Sequence, residues 1–162
     1  MPKIYVGTYN AYNAGSLKGK WLDLNDYDNH DDFMTACREL HADEDDPELM
    51  FQDFEDIPRE FVGECYIKPE FWDYMNCDID DEVKSAFIYL FDEWNEDRCN
   101  DTYIGEFRDP AELAGSLMDI TGELDKVPEH IARYFDYDAY GRDLELGGDV
   151  REHNDHYFWT NY

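Results

Sequence analysis

The chain has 162 residues, in which 41 Asp and Glu face 13 Lys and Arg, for a formal net charge of -28 at pH 7. The length allows one ordinary domain or two to three very small ones. A surface this negative is repelled by DNA, RNA and anionic lipid, which excludes a nucleic-acid or membrane-surface binder and leaves cations or cationic protein surfaces as partners.

In chain order, Ile4–Tyr9 alternates β-branched and aromatic residues and predicts a strand. The turn signal Asn13-Ala14-Gly15-Ser16 leads to a second strand over Lys20–Leu24. Asp31–His41 places Phe33, Ala36, Cys37 and Leu40 on one helical stripe, and Glu48–Phe54 predicts another strand. Pro69 opens a short helix through Phe71, Trp72 and Met75, and Asp80 caps a longer one carrying Val83, Phe87, Leu90, Phe91 and Trp94. Tyr103–Phe107 returns to strand. Asp109-Pro110-Ala111-Glu112 supplies a cap, a first-turn proline and an acid for a helix through Leu113, Leu117 and Ile120 that stops at Gly122. Pro128 begins a helix through Ile131 and Phe135, Tyr137–Leu144 forms a further one, and His156–Tyr162 ends the chain as an aromatic strand. These elements predict an α+β protein of three pieces: residues 1–62 (small sheet plus helix), 63–103 (mainly helical) and 104–162 (small sheet plus helices).

Whether so acidic a chain folds is decided by its rings. Leu, Ile, Val and Phe total 34 residues, 21% of the chain, against a disorder threshold of ~20%. The aromatic content is 17%, and each ring can bury ~150–250 Å², so an ordered but modest core is expected. No apolar run reaches the ~18 residues of a membrane span, and Met1–Val6 lacks the apolar region of a secretory signal, which points to the cytoplasm. Cys37, Cys65, Cys77 and Cys99 contain no Cys-x-x-Cys spacing and read as reduced thiols.

Catalytic motifs are missing. With this many carboxylates, pairs arise by chance, so no Asp/Glu pair argues for acid–base chemistry. Asp26–Asp31 and Asp78–Val83 lack the sixth-position glycine of a calcium loop. His153 and His156 have no third ligand cluster nearby, and Gly147-Gly148 lies among acids that would repel a phosphate. Neither a metal nor any other cofactor is expected, and no enzyme activity.

What remains is charge. Residues 1–20 hold Lys3, Lys18 and Lys20 and no carboxylate, so all 41 acids lie in residues 21–162, interleaved with aromatic residues. Duplex DNA carries one charge per ~1.7 Å of axis, so 28 charges would match ~48 Å of duplex, more than the ~40 Å diameter of a compact globule of this length. A charge display imitating DNA would thus call for an elongated chain or a dimer. A generic solubilising surface is the alternative, and an acidic partner or chaperone for a basic nucleoid-type protein is the rival function.

The segments Tyr5–Tyr9, Tyr12–Leu24 and Asp43–Glu55, followed by Tyr103–Phe107, Leu124–Glu129 and Tyr134–Leu144, resemble the ArdA antirestriction proteins in matching order, with residues 64–102 the least distinctive part. The resemblance implies a protein of mobile elements that mimics bent B-form DNA in the bacterial cytoplasm. It would occupy the DNA groove of type I restriction-modification enzymes, the methyltransferase core with its specificity subunit. It also implies an elongated, curved protomer of three small subdomains and a homodimer joined through the C-terminal part, and no binding of nucleic acid or membrane. The candidate mimicking carboxylates are the clustered ones: Asp26, Asp28, Asp31 and Asp32; Asp43, Glu44, Asp45 and Asp46; Asp80, Asp81 and Glu82; Asp92, Glu93, Glu96 and Asp97. Phe107, Tyr134, Phe135, Tyr137 and Tyr140 are candidate dimer contacts, with a core role the ordinary alternative for each. Gly141, inside the last motif, should weaken its helix, since glycine there costs ~1 kcal/mol relative to alanine.

Overall fold

The structure, a computed structural model, describes residues 1–161. It is α+β, and its contacts divide the chain into two units, Met1–Cys77 and Asp78–Tyr162.

The first unit contains β1 (Lys3–Thr8), α1 (Tyr9–Asn13), β2 (Lys20–Asp23), α2 (His30–Leu40), β3 (Leu49–Glu55) and α3 (Glu70–Asn76). The strands form an antiparallel sheet in the order β2-β1-β3. Between β1 and β3, Tyr5 pairs with Asp53 but Val6 with Phe51, so Gln52 is an extra residue and the ladder bulges there. Ile4 and Val6 on β1, Leu22 on β2 and Leu49 and Phe51 on β3 are buried with Phe33 and Cys37 of α2, as strand alternation and the helical stripe predict. Phe33 stands 6.0 Å from Phe51 and 5.8 Å from Trp72 of α3. The Trp72 indole N–H donates to the Tyr27 carbonyl at 3.0 Å, which ties α3 to this core.

Tyr9, expected to end the first strand, instead opens α1: the Thr8 hydroxyl accepts from the Ala11 N–H and caps it.

The second unit contains α4 (Asp81–Phe91), α5 (Glu96–Thr102), β4 (Tyr103–Glu106), α6 (Pro110–Thr121), α7 (Glu129–Ala132), α8 (Tyr137–Leu146), β5 (Val150–His153) and β6 (His156–Trp159). Its antiparallel sheet runs β4-β6-β5. Alternation along β6 divides the core. Phe158 packs with Val83, Ala86 and Phe87 of α4 and Cys99 of α5, whereas Tyr157 packs with Leu113 and Leu117 of α6 and Val150 of β5. The stretch expected as a separate helical middle, residues 63–103, is shared between the units, with α3 in the first and α4 and α5 in the second.

The predicted helix through Trp94 ends at Phe91, where Asp92 takes a left-handed conformation (φ 54°), and Asn95 caps the separate α5 by accepting from the Arg98 N–H. The helix expected from Pro128 through Phe135 is the four-residue α7. The strand expected over His156–Tyr162 spans His156–Trp159, with Tyr162 outside the described residues.

Candidate functional site

Six of the fifteen candidate carboxylates stand where the backbone itself favours negative charge. Asp31 and Asp32 fill the first turn of α2, Asp81 and Glu82 that of α4, and Glu96 and Asp97 that of α5, each beside unpaired N–H groups and the positive end of the helix dipole. At α2 the arrangement is reciprocal: the Asp32 N–H donates to the Asn29 side-chain oxygen at 3.0 Å, and the Asn29 amide donates back to the Asp32 carboxylate at 2.8 Å. Asp26 ends a short 3-10 turn over Leu24–Asp26, with Asp28 just beyond, so four acids fall in the short stretch that leads into and opens α2. Asp80 occupies the cap position of α4 without a side-chain capping bond.

Asp43, Glu44, Asp45 and Asp46 form the loop after α2. Of the fifteen candidates, fourteen are exposed and Glu44 is half-buried. Several are partly neutralised internally. Asp43 pairs with Lys18 at 2.7 Å, and this bond holds its carboxyl below the usual range. Glu44 accepts from the Thr8 hydroxyl at 2.7 Å. Asp81 pairs with the buried Lys84 at 2.8 Å, Glu82 lies 3.8 Å from the buried His156 ring, and Glu93 pairs with Arg98. Asp31 also lies 3.5 Å from the His30 ring and Asp32 holds the Asn29 amide, while Asp26, Asp28, Asp45, Asp46, Asp80, Asp92, Glu96 and Asp97 are left facing solvent.

The five aromatic candidates separate by burial. Phe107 packs on Tyr157 with ring centroids 5.9 Å apart and joins the α6 core cluster. Phe135 is half-buried between Tyr137 and Tyr140, at 4.9 and 5.6 Å. Tyr134 is 80% exposed, and Tyr137 is exposed as well. Ile120, Ile131 and Leu146, none of them a candidate from sequence, are also exposed. Ile120 continues the spacing of Leu113 and Leu117, which are buried with Val150 and Tyr157, but it sits in the last turn of α6 and is 76% exposed. An open cleft of about 840 Å³ lies in the same region, lined by Met118, Leu124, Val127, Pro128, Ala132 and Tyr137 among others.

His153 and His156 do not converge. His153 stacks on Tyr89 with centroids 3.7 Å apart, while His156 is buried with its Nδ1 3.0 Å from the Tyr103 hydroxyl. Among the described residues no group of three or more His, Cys, Asp or Glu could hold a metal ion, and no helix is long and apolar enough to cross a membrane.

Fold and surface thus define an acidic α+β protein that presents its carboxylates from helix N-termini and from the loop between α2 and β3. The ArdA antirestriction protein family matches residues 4–159, and the chain belongs to that family. Comparison with curated proteins finds no match. Membership makes the chain an antirestriction protein, one whose family interferes with restriction enzymes.

Proposed function

We propose that the exposed carboxylates imitate the phosphates of bent B-form DNA, and that the protein occupies the DNA-binding groove of type I restriction-modification enzymes in the bacterial cytoplasm. The observation that carries this reading is the placement of acids at successive helix starts and in the 43–46 loop, facing solvent, in a chain of net charge -28. A groove lined by Lys and Arg to hold phosphates attracts such a surface over a long range, so association should be fast and sensitive to salt. Phosphate contacts position DNA without reading its sequence, so a phosphate mimic inhibits regardless of recognition site. The mechanism is occupancy; no bond is made or broken, and no cofactor is required.

Self-association belongs to the same proposal. Two copies of net charge -28 repel unless they meet where charge is low. Residues 126–135 carry Lys126 and Arg133 against Glu129 alone, beside exposed Ile131 and Tyr134. A homodimer through this part of the C-terminal unit would extend the carboxylate display.

The test is displacement of labelled DNA from a type I methyltransferase core by the purified protein at two salt concentrations. Displacement that weakens as salt rises is the expected result. Absence of displacement at physiological salt would favour an acidic partner for a basic nucleoid-type protein instead. Because the display is redundant, reversing five or six neighbouring acids should be needed to abolish displacement. Loss on a single carboxylate-to-amide change would contradict a distributed mimic.

A further inference from the structure

The first two acids of α4 each have a buried base as neighbour. Asp81, with 91% of its side chain in water, pairs through Oδ1 at 2.8 Å with the Lys84 ammonium, whose side chain is only 5% exposed. Oε2 of Glu82 lies 3.8 Å from Nε2 of the buried His156, whose Nδ1 is 3.0 Å from the Tyr103 hydroxyl. The other basic groups paired with acids among the described residues keep 27% or more of their surface in water. Lys84 lies in the run Val83–Ile88 of α4, in which only Ser85 is exposed. Burying an ammonium is costly unless it is paired, so this side chain has little freedom to leave its carboxylate. An exposed pair such as Lys18 and Asp43 joins two solvated chains and holds neither strongly.

An acid that meets a basic side chain of a partner loses freedom on binding, and the loss is smaller where the acid is already held. A carboxylate accepts at both oxygens, so with Oδ1 of Asp81 on Lys84, Oδ2 is left for a Lys or Arg of the partner. We infer that Lys84 is a positioning residue of the carboxylate display: held in the buried run of α4, it fixes Asp81, so that the start of this helix meets the basic groove with its charge already placed. The inference rests on the groove-occupancy reading and adds to it a cation that serves an anionic surface.

The experiment measures displacement of labelled DNA from the methyltransferase core by the parent, Lys84→Met, Asp81→Asn and the double variant, with Lys18→Met as control and circular dichroism to check the fold. Methionine is apolar and close to lysine in length, and because Asp81 is exposed, no buried charge is stranded when the ammonium goes. Both lysine changes make the protein more negative by one charge, so net charge alone would leave binding to a basic groove unchanged or tighter. Lys84→Met should instead weaken binding about threefold to tenfold through faster dissociation, a graded loss in keeping with a distributed display, while Lys18→Met does not weaken it. In the Asp81→Asn background the effect of Lys84→Met should vanish. Binding of Lys84→Met as tight as the parent's overturns the inference, and so does a weakening that persists undiminished in the Asp81→Asn background, which would make Lys84 a structural residue only. If Lys84→Met does not fold, Asp81→Asn is compared with Glu96→Gln, which removes the same charge from the first position of α5, where Glu96 makes no ion pair among the described residues. Asp81→Asn should then weaken binding more, and equal effects overturn the inference. Failure of the parent itself to displace DNA would instead remove the groove-occupancy reading beneath it.

Discussion

Gly141 shows how a residue can violate a local rule for a packing reason. Its place inside α8 suggests a weakened helix, yet α8 crosses the start of α6 there, and a Cβ would stand 2.1 Å from the Pro110 carbonyl oxygen. That neighbour is backbone and cannot swing aside. Gly141→Ala should therefore destabilise the protein despite alanine's better helix propensity, by ~1–3 kcal/mol as for an overpacked core site. Urea unfolding monitored by circular dichroism measures it, and a stabilised variant would show that α8 can move off α6. Cys37, buried between α2 and the first sheet, gives a second prediction. Burial pushes its thiol up to about 12, from 9.0. Between those values the unfolded chain has lost the proton that the folded protein keeps, so stability is full below pH 9.0 and falls as pH rises toward 12. Cys37→Ala should lower stability overall but flatten its decline with alkaline pH, read from urea midpoints across that range.

Elements were legible where their ends carry chemistry. α6 follows its sequence closely: Asp109 accepts from the Glu112 N–H at 2.9 Å, Pro110 takes the first turn, and Gly122 closes the helix at φ 64°. α1 and α5 were invisible because they have no apolar stripe: α1 buries no residue, and α5 buries only Cys99 and Thr102. β5 was missed because, apart from Val150, its residues are polar and it is recognisable only as the partner of β6. The turn between them, Asn154-Asp155, has φ of 52° and 68°, the paired left-handed geometry of a two-residue hairpin. So the spacing of His153 and His156, weighed as a possible metal pair, is the spacing of a hairpin turn. Asn154→Val should cost ~1–2 kcal/mol, because a β-branched residue resists positive φ. Hydrogen exchange should show faster opening of β5–β6 in particular, and unchanged exchange would mean that the hairpin does not depend on its turn residues.

Over the whole chain, composition announced the charge but not its use, and the fifteen clustered acids were named without knowing which are engaged internally. Thr8 and Lys18 contact Glu44 and Asp43 from distant parts of the chain, pairings that spacing could not reveal, whereas Asp81–Lys84 is a one-turn pair within α4 and Glu93–Arg98 joins residues five apart. The aromatic candidates for self-association divided similarly, Phe107 entering the core while Tyr134 remained outside with Ile131. The proposed homodimer therefore hangs on a balance of long-range repulsion and local apolar contact. Repulsion between two highly acidic copies falls as salt shortens the screening length from about 30 Å at 0.01 M to about 8 Å at 0.15 M, whereas burial of Tyr134 and Ile131 is little affected. Self-association should thus strengthen with added salt, opposite in sign to the weakening expected for binding to a basic groove. Tyr134→Asp adds a charge at a site that is 80% exposed in the protomer, so it should shift sedimentation toward monomer while leaving circular dichroism unchanged. A parent protein that is monomeric at every salt concentration would refute the dimer and leave the carboxylate display to act from a single copy.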